Sequence, residues 1–356
     1  MNEIKQQFVE RASRGEYAQN KAHDDVAAVL DGLGFERIEI SRKMSGGKLA
    51  QNLERIKWVL RCPFWRRKIK KNATVFVQYT ISCWQGALAF HLLDEKIKAK
   101  KNLKLIALIH DINRTDVLND CLTANELRFF ALCDKILVHC ENMKAFFIRH
   151  GVAAEKLQIF EAFDYLTDVP MNPLTTEHMN TVNICGNLSP HKCGCYKELG
   201  RIKGVNWKLY GPNFSPSYSA NKVEYMGEFP PDKLPGRFEH GFGLIWDGDS
   251  TETQTGLFGL YQMINHPHKL SLYLSAGLPV IVWSKSGVAD FIVKNRIGFT
   301  IEALKDIPQV IAHMSLPVYA ELRANAREWG RKLRNGDMIR NLPMGFQENH
   351  KNESER

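Results

Sequence analysis

Asn265 to Lys269 reads Asn-His-Pro-His-Lys, directly ahead of the apolar-periodic run LSLYLSAG. Pro267 suits the first turn of a helix, where a missing backbone N–H costs nothing. Lys269 then falls in that turn, where the helix macrodipole favours negative charge. The mismatch disappears if an anion shares the spot. A pyrophosphate would accept from the free amides and from the Lys269 ammonium together. The competing reading is an ordinary solvated lysine.

Three other clusters have types and spacings suited to chemistry. Gly186-Asn187 closes the run TVNIC, followed by Leu188, Ser189, Pro190, His191 and Lys192. A glycine at a strand end lets backbone approach a ligand closely, and the helix start after it favours phosphate. Asp247-Gly248-Asp249 follows FGLIW and precedes a Ser/Thr/Glu/Gly loop over 250–259. A D-x-D pair can carry Mg²⁺, but that ion needs more oxygen ligands than this segment offers. A turn held by Asp side chains, with contacts to substrate hydroxyls, is the favoured reading. In the first half, KLIALIH ends on His110 and Asp111, with Arg114 close behind. A strand ending in His-Asp brings a general base to a cleft edge. The alternative is that Asp111 caps a turn and His110 is packed.

These residues need a scaffold, and the chain supplies a regular one. Residues 1–34 read as helical, ending at Gly34. Short apolar runs then alternate with helical segments: TVFVQYT, a helix over 83–97, KLIALIH, a helix over 123–132, KILVH, a helix over 141–149, and LQIF. The segment 166–180, with two prolines and a polar tract, is the best linker. The alternation restarts with TVNICG, WKLYG and VEYMG, a helix over 230–239, FGLIW, a helix over 267–276, PVIVW, and a long helix over 316–334. Such alternation predicts an α/β fold of parallel sheets with crossover helices. The expected domains are 1–170 and 171–335, facing each other across a cleft, with a polar tail over 336–356.

Composition limits the partners. The chain has 356 residues, 44% of them hydrophobic and 24% charged. No run approaches the ~18 apolar residues of a membrane span, and the N-terminus lacks the apolar core of a secretion signal. A cytoplasmic location is expected. The eight cysteines form no C-x-x-C pair and sit mostly in apolar segments, as free buried thiols do. A metal site of His191, Cys193 and Cys195 lacks a fourth ligand. The formal charge of +9 is concentrated in runs such as RCPFWRRKIKK, Arg61 to Lys71. With Trp58, Phe64 and Trp65 interleaved, that run is a candidate contact with a membrane surface on the cytoplasmic face. No nucleic-acid motif accompanies the charge. A homo-oligomer is compatible with the sequence.

The segments ICGNLSPHKC, FGLIWDGDSTETQTGLFGLY, NHPHKLSLYLSAGLPVIVWSK and VADFIVKNRIG resemble the bacterial β-1,6-galactofuranosyltransferases of O-antigen and capsule assembly. Relatives of that family include glucosyltransferases that extend GlcNAc on adhesins. The likeness covers about 74–305, most specifically 242–299, and extends loosely to LIHDIN, KILVHCENM and FDYL. It implies the GT-B fold, two Rossmann-like domains with parallel sheets facing a central cleft. It also implies a UDP-sugar donor, a lipid-linked or glycan acceptor, inversion at the anomeric carbon, no cofactor and no required metal. On that resemblance Asn265, His268 and Lys269 hold the diphosphate. Gly186, Asn187 and Lys192 approach the nucleotide, and Tyr225 borders it. Asp247, Asp249 and Glu252 line the sugar region, Asp111 (with His110) is the expected base, and Arg114 lies on the acceptor side. The match departs at Pro190, where a relative has Arg, and at Asn113-Arg114, where the family has Leu-Arg. A non-catalytic scaffold is the reading from another class.

Overall fold

The alternation of short apolar runs with helices resolves into two sheets of six strands each. The computed structural model describes residues 3–12, 18–42, 48–79, 93–173, 176–218 and 223–343. The first sheet holds β1 (Ile4–Ala12), β2 (Glu36–Arg42), β3 (Ala73–Tyr79), β4 (Lys104–Ile109), β5 (Lys135–Val138) and β6 (Leu157–Ile159). They lie in the order β2-β1-β3-β4-β5-β6, every pair parallel. All seven residues of β3 are buried, as expected of a strand covered by helices on both faces.

The second sheet holds β7 (Thr181–Cys185), β8 (Asn206–Tyr210), β9 (Val223–Gly227), β10 (Phe242–Ile245), β11 (Val280–Trp283) and β12 (Gly298–Ile301). Its order is β12-β11-β10-β7-β8-β9, again all parallel. The chain enters at β7, steps outward through β8 and β9, then returns to lay β10 to β12 on the other side. The crossovers leaving β7 and β10 therefore run to opposite sides. In open parallel sheets, ligands bind beyond the carboxyl ends of two such strands.

Several expectations need correction. Residues 4–12, read as helix, are the strand β1. Its Gln6 and Gln7 are buried and held by hydrogen bonds: Gln6 bonds the backbone of Lys68 and Lys70 through both its polar atoms, and Gln7 Nε2 donates to Ala27 O and Asp31. Two glutamines in a row hid the strand's apolar pattern. The helix expected over 230–239 is only the turn Leu234–Arg237. Prolines at 230, 231 and 235 remove the amides a longer helix needs. Helix His268–Ser275 begins one residue later than expected, with Pro267 as its N-cap. The loop expected over 250–259 runs into helix Gly256–Tyr261. Of the helix expected over 83–97, residues 83–92 lie outside the described residues, as does Cys83, and the described helix is Glu95–Lys101.

Residues 336–343 are also not a polar tail. After the long helix Leu316–Asn335 and its left-handed cap Gly336, the chain makes the helical turn Asp337–Arg340. Ile339 is buried against Val26, Val29 and Leu30 of the first domain. The backbone N–H groups of Met338 and Ile339 both donate to the buried carboxylate of Asp164, each at 3.0 Å. The end of the second domain is thus fastened to the first.

Candidate functional site

β7 and β10 deliver the second domain's charged corner. Gly186, just past β7, has φ +120, and a Cβ there would come within 3.2 Å of Lys269 Cε. Only glycine combines that backbone with so close an approach. Past β10, Asp247 is 6% exposed. Lys269 Nζ donates to its Oδ1 at 2.9 Å, Gln262 Nε2 donates to Oδ2 at 2.8 Å, and Lys192 Nζ lies 3.9 Å from Oδ2. Gln254 holds Gln262 in place through a 3.0 Å bond to its Oε1. Burial alone would raise the Asp247 carboxyl, but the two ammonium groups and the hydrogen bonds outweigh it and hold it below the usual range. For Lys269, burial pulls down and Asp247 more than restores it, leaving it above the ordinary lysine range.

Lys269 stands in the first helical turn, as its spacing predicts. It is not a solvated lysine: its side chain is 13% exposed. The carboxylate that answers it is Asp247, which the sequence reading had assigned to the sugar region. One carboxylate, Asp247, serves two ammonium groups, which concentrates cationic groups at this corner. The adjoining terminus of helix His268–Ser275 adds to it, having no side-chain cap and no acidic residue in its first turn. Asn265 Oδ1 and His268 Nε2 are buried beside it without a hydrogen-bond partner. Both atoms are acceptors, so the donors at this corner are the ammonium groups and the open helix start.

The other expected residues are less concentrated. Asn187 is exposed, and its Oδ1 accepts from Ser189 N–H at 2.9 Å and from Asn213 at 3.0 Å, an Asx turn. Tyr225, 41% exposed, stacks on Phe214 with centroids 4.3 Å apart and donates to Gly211 O. Asp249 is exposed, and its backbone N–H donates to Thr255 Oγ1 at 3.2 Å. Glu252 is exposed and paired with Lys305. Asp247, Asp249 and Glu252 therefore do not share one environment. Among the described residues no group of three His, Cys, Asp or Glu side chains could hold a metal ion. Cys193 and Cys195 are buried free thiols, and burial pushes Cys193 up to about 12.

β4 and β5 deliver the first domain's contribution. His110 is sandwiched between His23, at 3.7 Å between centroids, and Phe163, at 4.9 Å. Gln78 Nε2 donates to His23 O, so its Oε1 faces His110 Nε2 at 2.8 Å and that nitrogen carries the proton. Burial, with the rings of His23, His139 and His268 nearby, holds His110 well below the histidine range. It is a packed ring. Asp111, next in sequence, is half-buried. Arg114 opens helix Arg114–Leu118, but its side chain lies outside the described residues.

Residues 261–266 join the two sets, and sequence reasoning missed most of the contacts. Tyr261 Oη accepts from Ile112 N–H at 2.9 Å, one residue past Asp111. His139, buried at the end of β5, accepts His266 N–H on Nδ1 at 3.0 Å and lies 2.7 Å from Ile109 O through Nε2. A carbonyl can only accept, so His139 is neutral with its proton on Nε2. Burial pushes it down to about 4. Asn142 Nδ2 donates to Met263 O at 2.9 Å. The same segment thus rests on the strand ends of the first domain and leads straight into the Lys269 helix. No signal within KILVH marked His139 beyond its place at a strand end.

Two family models match the chain: the N-terminal domain of glucosyltransferase 3-like proteins over residues 7–161, and their C-terminal domain over 182–344. The chain is 36% identical to the β-1,6-galactofuranosyltransferase WbbI of Escherichia coli (strain K12) over 67% of this chain and 70% of that protein. Its fold is similar to the apo form of the lipopolysaccharide outer core galactosyltransferase WaaB, at a TM-score of 0.60 and 14% identity, covering 95% of this chain and 97% of that one. It is also similar to Anabaena Alr3699/HepE in complex with UDP, at a TM-score of 0.58 and 12% identity, covering 94% and 97%. The two Rossmann-like domains are the GT-B arrangement that these likenesses share.

Proposed function

The chain belongs to the glucosyltransferase 3-like family of glycosyltransferases, and on that premise we propose that it transfers a galactofuranosyl unit from a UDP-sugar, with inversion, to a lipid-linked glycan of O-antigen or capsule synthesis. The observation that carries this reading is the corner where Lys269 and Lys192 share Asp247 at an uncapped helix start. A diphosphate fits two ammonium groups beside an open helix start, and the glycine at 186 is what lets Lys269 approach the end of β7. The preference for galactofuranose rests on the 36% identity with WbbI.

In the reaction, the Asp111 carboxylate removes the acceptor hydroxyl proton, and the oxygen attacks C1 from the face opposite UDP. The C1–O bond to the diphosphate breaks through an oxocarbenium-like state. The departing charge is taken up by Lys269, Lys192 and the helix terminus, preorganised donors that make a metal unnecessary. Asn265 and His268 offer buried polar atoms toward the donor, and Tyr225 an exposed ring for its base. His110, held neutral, positions the Asp111 strand end.

Calorimetric titration with UDP, GDP, TDP and their sugars, in EDTA, tests the donor class. UDP compounds should bind; a preference for another base, or a need for Mg²⁺, overturns the assignment. The family models bear a glucosyltransferase's name, which favours UDP-glucose as the second reading. Competition between UDP-galactofuranose and UDP-glucose separates the two.

A further inference from the structure

Helix Lys48–Lys68 has apolar side chains on two opposite faces. Trp58, Cys62 and Trp65 point into the first domain's core, and both tryptophans are under 4% exposed. About half a turn round the helix, Leu53, Ile56, Leu60 and Phe64 are 52%, 58%, 73% and 58% exposed. Their spacing of three, four and four residues places them on one stripe, about 17 Å long at the helical rise. The tryptophans that suggested lipid contact from sequence are therefore core residues. The surface they advertised is made of other side chains.

That stripe has a basic border. Lys57, Arg61, Arg67 and Lys68 are exposed, and Lys68 Nζ sits 4.8 Å from the centroid of the Phe64 ring. The helix sequence holds seven Lys and Arg against one Glu. Among the described residues no helix is long and apolar enough to cross a membrane. An exposed apolar stripe rimmed by cations is the chemistry of a segment lying in a headgroup layer.

We propose that helix Lys48–Lys68 seats the protein on an anionic lipid bilayer. Leu53, Ile56, Leu60 and Phe64 enter the interface while Lys57, Arg61 and Lys68 meet lipid phosphates. A second copy of the chain fits this face poorly, because self-pairing would bring two strongly positive helices together. The geometry stands apart from the donor assignment. It also gives the transferase a place to meet a lipid-linked acceptor.

Flotation of the full-length protein with vesicles tests this. Wild type should rise with phosphatidylcholine vesicles containing one quarter phosphatidylglycerol, stay behind with pure phosphatidylcholine, and release in high salt. The double variant Leu60→Asp/Phe64→Asp should partition at least about tenfold more weakly while keeping wild-type UDP affinity and melting temperature. Lys57→Glu/Arg61→Glu should weaken binding to the anionic vesicles alone. Wild type that fails to float, or an aspartate variant that floats as well as wild type, overturns the proposal. So does sedimentation showing a dimer that the aspartates dissolve, without vesicle binding. UDP affinity reports separately on the donor reading.

Discussion

The two domains treat the polar groups at their strand ends in opposite ways. At β7 and β10 charge is kept: Asp247 and Lys269 are both buried, yet Asp247 is held in its charged form by Lys192 and Lys269, and Lys269 by Asp247. Around the ends of β4 and β5 charge is suppressed: burial drives His23 and His139 down to about 4 and holds His110 well below the histidine range. A pair of buried ions costs more to assemble than a set of stacked neutral rings. Retaining one makes sense where the protein must present charge to a ligand. The rings, in contrast, seat residues 261–266 and so aim the helix that carries Lys269. One corner keeps charge and the other excludes it.

The largest effect that can break this contrast comes from Lys269. Lys269→Ala should lower turnover by about 10²-fold or more. It also strips Asp247 of its 2.9 Å partner, leaving it Gln262 and the more distant Lys192, at a cost of roughly 1–3 kcal/mol. The two consequences separate in the double variant Lys269→Met/Asp247→Asn, which should recover most of the stability and none of the turnover. Near-normal transfer by the double variant would mean that the charged corner, too, is only a structural joint.

The neutral joint should answer in the opposite currency. His139→Ala leaves Ile109 O and His266 N–H without their buried partner, so denaturant unfolding should register a loss of about 2–4 kcal/mol. Donor affinity should survive wherever the variant remains folded. If UDP binding is abolished under conditions where the melting curve is intact, the rings belong to the ligand site and the division of labour fails.

The charged corner was largely legible because its parts are close in sequence or mark strand ends. Lys269 and Asp247 are 22 residues apart, and Gly186 and Asp247 each follow an apolar run. Their pairing with one another was not legible. A cation at a helix start signals an anion, but not whether the protein or a ligand supplies it. The joint was nearly invisible, since His139 and His266 meet across 127 residues and neither stands in a motif. The sheets could be read from alternation, except β1, whose buried Gln6 and Gln7 find backbone partners only in the folded chain. The helix expected over 230–239 failed for a local reason plus a distant one. Prolines interrupt it, and Gly236 lies so near Val169 that a Cβ there would come within 2.3 Å of it. The exposed apolar stripe of helix Lys48–Lys68 was half legible: its basic border is plain in the sequence, but which face of the helix is buried depends on the sheet beneath.

The smallest effect concerns acidity at the seam, where both kinds of chemistry meet. Burial raises Asp164 to about 7, against the pull of the Met338 and Ile339 amides. Its native form therefore holds a proton that the unfolded chain releases near pH 4. Stability from this residue is full below that pH and is lost as pH rises toward 7. His23 and His139 act in the reverse direction, since their native forms refuse a proton that the unfolded chain takes up near pH 6.5. Their contribution is full above pH 6.5 and is lost as pH falls toward 4. The melting temperature of wild type should thus rise from pH 4 to about 6.5 and flatten or dip above it. Asp164→Asn removes the carboxylate while keeping one oxygen as acceptor. Its stability relative to wild type should improve between pH 5 and 8 by on the order of 1–2 kcal/mol. The amide group facing a backbone N–H should leave it the weaker protein at pH 5. A constant difference across that range would show that Asp164 stays ionised. The seam would then share the charged corner's chemistry instead of the joint's.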